Sequence, residues 1–167
     1  MGYVHSQLAL YIPPTLFHFS TGTITWTAGA VAGMIAAHRA AANQTTLITV
    51  PIMVPGHAQN TMGSKVLSVE FDYKVEVAEP TTFTPTILLV SRGVEGAAGT
   101  VATQTITQTP TLAASQTVDE HKLVVTITTP FFLLNTQYLL ALLTMPAGAG
   151  GNTTDFYGAM VNYIFRA

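Results

Sequence analysis

Residues 65–77 alternate without a break. Leu67, Val69, Phe71, Tyr73, Val75 and Val77 fall on one face, and Ser68, Glu70, Asp72, Lys74 and Glu76 on the other. Period two predicts a β-strand with one buried and one wet face. Residues 122–128 follow the same rule, with Leu123, Val125 and Ile127 inward and Lys122, Thr126 and Thr128 outward; Val124 breaks it. Further strands are predicted over 22–27, 44–54, 85–91, 99–109, 137–144 and 155–165, all rich in the Thr, Val, Ile, Tyr and Phe that suit a pleated surface. The 99–109 strand is mostly polar, which places it at a sheet edge.

Two stretches depart from simple alternation. Over 137–144, Leu139, Ala141 and Leu143 share one face, and Tyr138, Leu140 and Leu142 the other. A strand apolar on both faces is covered on both faces. In a two-layer sandwich that requires an overlying loop or a neighbouring subunit. Phe131 and Phe132, just after Pro130, are expected to extend the same patch. Residues 28–42 hold eight Ala, the strongest helix former, yet Gly29 and Gly33 weaken a helix. Helix and strand both stay open there.

Residues 1–20 read as an extended arm. Tyr3, Leu8, Leu10, Tyr11, Ile12, Leu16, Phe17 and Phe19 crowd a segment in which Pro13-Pro14 forbids a continuous helix. Such a segment docks on its own sheet or is exchanged between subunits. Turn residues at Pro55-Gly56 with Asn60, Glu79-Pro80, Gly93 to Gly99 and Pro146 to Asn152 separate the strands. The whole is an all-β chain: an antiparallel, jelly-roll-like β-sandwich of about eight strands over 21–167, preceded by the arm.

Charge changes this picture more than any motif. Lys plus Arg is 6 and Asp plus Glu is 8 in 167 residues, or 8% charged, against about 25% in ordinary proteins. A monomer of this mass exposes on the order of 8,000 Å², so charges lie about three times more sparsely than usual. Neutral polar residues, 27 Thr among them, fill part of the gap, but 49% of the chain is hydrophobic. A surface so poor in charge is expected to be covered by copies of itself or by a partner. A net charge of −2 argues against a phosphate-backbone binder, which needs a clustered basic face, so no nucleic-acid partner is expected.

No membrane partner is expected either. The 20 uncharged residues between His18 and Arg39 are long enough to span a bilayer but consist mainly of Thr, Ala and Gly. The opening MGYVHSQLALYIPP lacks the basic residues of a secretory signal. Asn43-Gln44-Thr45 and Asn152-Thr153-Thr154 fit the glycosylation pattern only by chance in that case.

Catalytic chemistry is thin. Glu70, Asp72 and Glu76 share a strand face at a spacing of about 7 Å, within reach of a glycosidase pair, but Lys74 lies among them and a solvated face accounts for them. His5, His18, His38, His57 and His121 have no metal-ligand spacing, and Cys is absent. No nucleophile elbow or phosphate loop occurs. No enzyme activity, metal or cofactor is expected. Trp26 and Tyr157 are the aromatics that a sugar-binding module would use.

The second half of the chain carries a resemblance. KVLSVEFDYKVEV ending its charged alternation near Tyr73, TPTILLVS, the Thr129-Pro130-Phe131 before Leu133, and the terminal Asp155-Phe156-Tyr157-Gly158 strand are the elements concerned. Over roughly residues 60–167 they resemble the small β-sandwich proteins encoded among the structural genes of tailed bacteriophages: head-fibre, decoration or cement proteins. The resemblance implies a structural virion protein on the capsid surface, a homotrimer that clamps the shell, with itself and the major capsid protein as partners. The contact residues expected on that reading are those of the arm, Tyr3 to Phe19, together with Phe131, Phe132, Tyr138, Leu140 and Leu142. The alternative is a tail-fibre or glycan/receptor-binding β-sandwich module.

Overall fold

The computed structural model describes residues 5–28, 34–40, 45–59, 61–77, 83–146 and 153–166. Tyr3, Asn43, Asn60, the Glu79-Pro80 turn, Asn152 and most of the Pro146 to Asn152 loop lie outside the described residues.

Two antiparallel sheets face each other. The seven-stranded sheet contains β3 (Ile24–Ala28), β4 (Ile35–Arg39), β12 (Thr153–Arg166), β6 (Gly63–Val77), β10 (Glu120–Ile127) and β9 (Ile106–Thr109) in that order, with β1 (His5–Ile12) also paired to β12. The five-stranded sheet runs β2 (His18–Phe19), β5 (Thr46–Ile52), β11 (Gln137–Met145), β7 (Thr84–Ser91) and β8 (Thr100–Thr103). The central orders β4-β12-β6-β10 and β5-β11-β7-β8 are those of a jelly roll, and β1, β2, β3 and β9 extend it.

The core is what alternation demands. Val69, Phe71, Tyr73 and Val75 of β6 and Leu123, Val125 and Ile127 of β10 meet Ile48, Val50 and Ile52 of β5 and Leu139, Ala141 and Leu143 of β11. One phase error appears. Opposite β6, Asn162 pairs with Ser68 and Tyr163 with Val66, so Leu67 is skipped in a bulge. Val66, not Leu67, therefore enters the core.

The 99–109 segment is two strands and not one. β8 pairs with β7 in the small sheet, and β9 with β10 in the large one. The chain changes sheets at Gln104-Thr105, and each half is an edge strand, as its polar sequence requires. In the Ala-rich stretch, residues 35–39 are extended, because pairing to both β3 and β12 satisfies their backbone and outweighs helix propensity. The described part of the opening segment pairs over eight residues with β12 of the same chain, then makes a 3₁₀ turn at Pro14–Leu16 and joins the small sheet as β2.

Tyr73 is fully buried, and its hydroxyl donates to the Ser115 carbonyl at 2.7 Å. Burial pushes that hydroxyl up to about 12 from its ordinary 10. Above pH 10 the unfolded chain therefore gives up a proton that the folded chain keeps. Stability is intact below pH 10 and falls as pH rises toward 12, by about 2–3 kcal/mol from this residue. Tyr73→Phe is expected to flatten that alkaline loss in urea titrations at stepped pH; an identical slope in the variant would contradict the assignment.

Candidate functional site

The two outer faces of the sandwich differ in kind. None of the five strands of the small sheet contains Lys, Arg, Asp or Glu. Its outward positions follow from the pairing. Val101, Val90 and Tyr138 form one row, Thr103, Leu88, Leu140 and Pro51 the next, and Thr86, Leu142, Thr49 and His18 a third. Val101 is 63% exposed and Tyr138 41%. Strand spacing of about 4.8 Å and a rise of about 3.3 Å per residue give this face roughly 450 Å² in plan.

The large sheet is the opposite case. Glu70, Asp72, Lys74 and Glu76 of β6, Glu120 and Lys122 of β10 and Asp155 of β12 point outward, so half of the chain's 6 basic and 8 acidic residues lie on one face. The ion pairs there are long: Lys122 Nζ is 3.4 Å from Glu70 and 4.0 Å from Asp72, and Lys74 Nζ is 3.8 Å from Glu76. Exposed pairs of this kind contribute about 0–1 kcal/mol. Glu70 also accepts from Asn162 Nδ2 at 2.8 Å. Glu70, Asp72 and Glu76 are half-buried and Asp155 is buried, and five acids outnumber the two lysines on this face.

On that face lies a concavity of about 430 Å³ lined by Tyr11, Met34, Asp72, Glu120, Lys122 and Tyr157, among others. Tyr157 is the extra residue of a β12 bulge, since Phe156 pairs with Tyr73 and Gly158 with Asp72. The bulge leaves its side chain on the charged face. Burial, and then Asp155, Glu120 and Glu76, push its hydroxyl up to about 12. Tyr11 reaches across from β1, its hydroxyl donating to the Tyr157 carbonyl at 2.6 Å. Burial raises the Asp72 carboxyl and is partly opposed by Lys122.

Beside the concavity, His38, Glu76 and Asp155 converge from β4, β6 and β12. Their ligand atoms lie within 4.8 Å of one another. His38 Nδ1 is 2.6 Å from Asp155 Oδ1 and 3.7 Å from Glu76 Oε2. A proton on Nδ1 donated to Asp155 accounts for this geometry. The cluster could hold a divalent ion only by giving up that hydrogen bond.

The contact residues named from the sequence are dispersed. Tyr138, Leu140 and Leu142 lie together on the charge-free face. Phe131 packs against the core, and Phe132 lies under Lys65, whose Nζ is 5.4 Å from its ring centroid, so neither extends that patch. In the opening segment, Ile12 and Phe17 are buried, Leu10 and Phe19 pack on the core, and Leu8, Tyr11 and Leu16 remain exposed. Trp26 is half exposed on the edge strand β3. Two groups were not anticipated. The outward Leu88 and Val90 were legible in the alternation of 85–91. The His38, Glu76 and Asp155 cluster was not, because it needs the register of three strands.

No protein-family model matches the chain, and a search of curated proteins finds no relative. Among solved structures the chain is similar to the N-terminal modules of endo-1,4-β-D-xylanase 10B from Clostridium thermocellum complexed with xylohexaose, at 11% identity and a TM-score of 0.47, over 100% of this chain and 29% of that one. It is also similar to a structure of carbohydrate-binding modules of the β-sandwich superfamily, at 10% identity and a TM-score of 0.42, over 95% of this chain and 56% of the other. A family 11 carbohydrate-binding module from Clostridium thermocellum, in complex with a mixed-linked tetrasaccharide, matches at 6% identity and a TM-score of 0.42, over 94% and 87%. The chain spans less than two thirds of the first two. Among the described residues, no helix is long and apolar enough to cross a membrane.

Proposed function

We propose that the chain is a self-associating structural subunit, a decoration or cement protein on the capsid surface of a tailed bacteriophage. The observation that carries the self-association is the charge-free outer face of the five-stranded sheet. Such a face offers a charged partner nothing to pair with, whereas a different apolar patch on a neighbouring copy of the same chain, as a three-fold ring requires, buries apolar side chains on both sides of the contact. A footprint of roughly 450 Å² is at the level of the largest patches on monomers and below the ~800 Å² per partner of a stable interface. Exposed apolar residues off this face, such as Leu8 and Leu16, are therefore expected to add to the contact. The virion role and the copy number of three rest on the sequence resemblance of residues 60–167.

Light scattering on the eluting full chain is expected to give a trimer. Leu140→Glu with Leu142→Glu places two charges on the face and is expected to give a folded monomer, its inward Leu139, Ala141 and Leu143 untouched. A wild-type dimer would keep the self-association and reject the trimer; a wild-type monomer at high concentration would reject both. The virion role predicts a major capsid protein gene beside the gene for this chain.

A further inference from the structure

We propose that the concavity on the charged face is a binding site for a neutral carbohydrate chain, seated against Tyr11 with Asp72, Glu120 and Lys122 reading its hydroxyls. The site lies on the sheet opposite the docking face, and its test reads sugar binding and not oligomeric state, so the two readings fail separately.

A sugar presents flat patches of C–H groups ringed by hydroxyls. It is recognised by an aromatic ring for the first and by carboxylate acceptors and ammonium donors for the second. Tyr11 is 46% exposed at the mouth of the concavity. Its ring is already fixed, because the hydroxyl is held by the Tyr157 carbonyl and the ring lies against Gly158, where a Cβ would come within 2.5–2.7 Å of it. A ring held in place before binding loses little side-chain entropy on contact. Met34 adds an exposed apolar surface beside it. Asp72 and Lys122 are directly paired across β6 and β10, and Glu120 lies on the same outward side of β10. Together with the ring they line the concavity with two acceptors and one donor. The volume of about 430 Å³ suits a few sugar units. The sign of the face decides the class. With Glu70, Glu76 and Asp155 adding to Asp72 and Glu120, against Lys74 and Lys122, the face repels phosphates and acidic sugars. A neutral chain pays no such penalty.

Isothermal titration of the full chain with neutral hexasaccharides (cello-, xylo-, laminari-, malto- and chito-oligosaccharide), and with hexagalacturonate as the acidic counterpart, tests this. At least one neutral oligomer is expected to bind, and hexagalacturonate is not. Tyr11→Ala is expected to weaken that binding by about tenfold to thirtyfold, whereas Trp26→Ala leaves it unchanged. Should Tyr11→Ala lose its fold by circular dichroism, the near-isosteric Asp72→Asn takes its place with the same expected direction. Failure of every neutral oligomer to bind, equal binding of the acidic one, or binding indifferent to the Tyr11 or Asp72 change overturns the proposal.

Discussion

Arg39→Ala is expected to destabilise the chain by about 3–4 kcal/mol in urea unfolding. Arg39 is fully buried between the sheets. Burial lowers the pKa of its guanidinium, which reflects the cost of holding that charge away from water. Its Nε donates to Thr46 Oγ1 at 2.9 Å and its Nη2 to the Pro146 carbonyl at 3.2 Å. One side chain on β4 thus ties the large sheet to the first residue of β5 and to the segment after β11. Alanine removes these donors and leaves a cavity the size of a long side chain. Arg39→Met separates the two losses, since it keeps most of the volume and discards the charge together with its desolvation cost. Buried charges replaced in this way often cost little, so methionine is expected to lose less than half of what alanine loses. Equal losses would mean that the hydrogen bonds, and not the packing, hold the sheets in place here. Because β4 also presents His38 to Asp155, loosening it is expected to disturb the charged face as well.

The local part of this architecture was open to reading from composition and period. β6 and β10 announce themselves because one face is wet and the other dry, a signal carried by each residue independently of any partner. The doubly apolar β11 likewise points to an apolar outward row, and Tyr138, Leu140 and Leu142 form it, with Tyr138 exposed. What stayed hidden depends on register. Tyr11 and Tyr157 are 146 positions apart and meet only because β1 pairs with β12. The bulge that skips Leu67 exchanges it with Val66 in the core without any Gly or Pro to mark it. The crossing at Gln104-Thr105 is equally unmarked, so two edge strands in different sheets read as one. The Ala-rich segment misleads in the other direction. Its helix propensity is a few tenths of a kcal/mol per residue, and strand pairing on both sides of residues 35–39 exceeds it.

Gly158→Val is expected to cost about 2–4 kcal/mol and to release β1 from β12. Gly158 has φ +151, a conformation that L side chains rarely adopt, and an added Cβ would sit 2.5–2.7 Å from the Tyr11 ring and hydroxyl. Tyr11 cannot simply turn away, because its hydroxyl is bound to the Tyr157 carbonyl in the same bulge. The substitution therefore charges the fold twice, for backbone strain and for a displaced ring. Gly96→Val gives a clash-free reference in a milder positive-φ backbone, since Gly96 has φ +81 with nothing within 4 Å; it is expected to cost about 1 kcal/mol. The second term is isolated by the pair Gly158→Val with Tyr11→Ala. With the ring gone the clash is gone, so the double variant is expected to be more stable than the sum of the single losses predicts, by about 1–2 kcal/mol. Additive losses, or a Gly158→Val as mild as Gly96→Val, would mean that the ring does not rest on this backbone, and the fixed aromatic surface of the concavity would go with it.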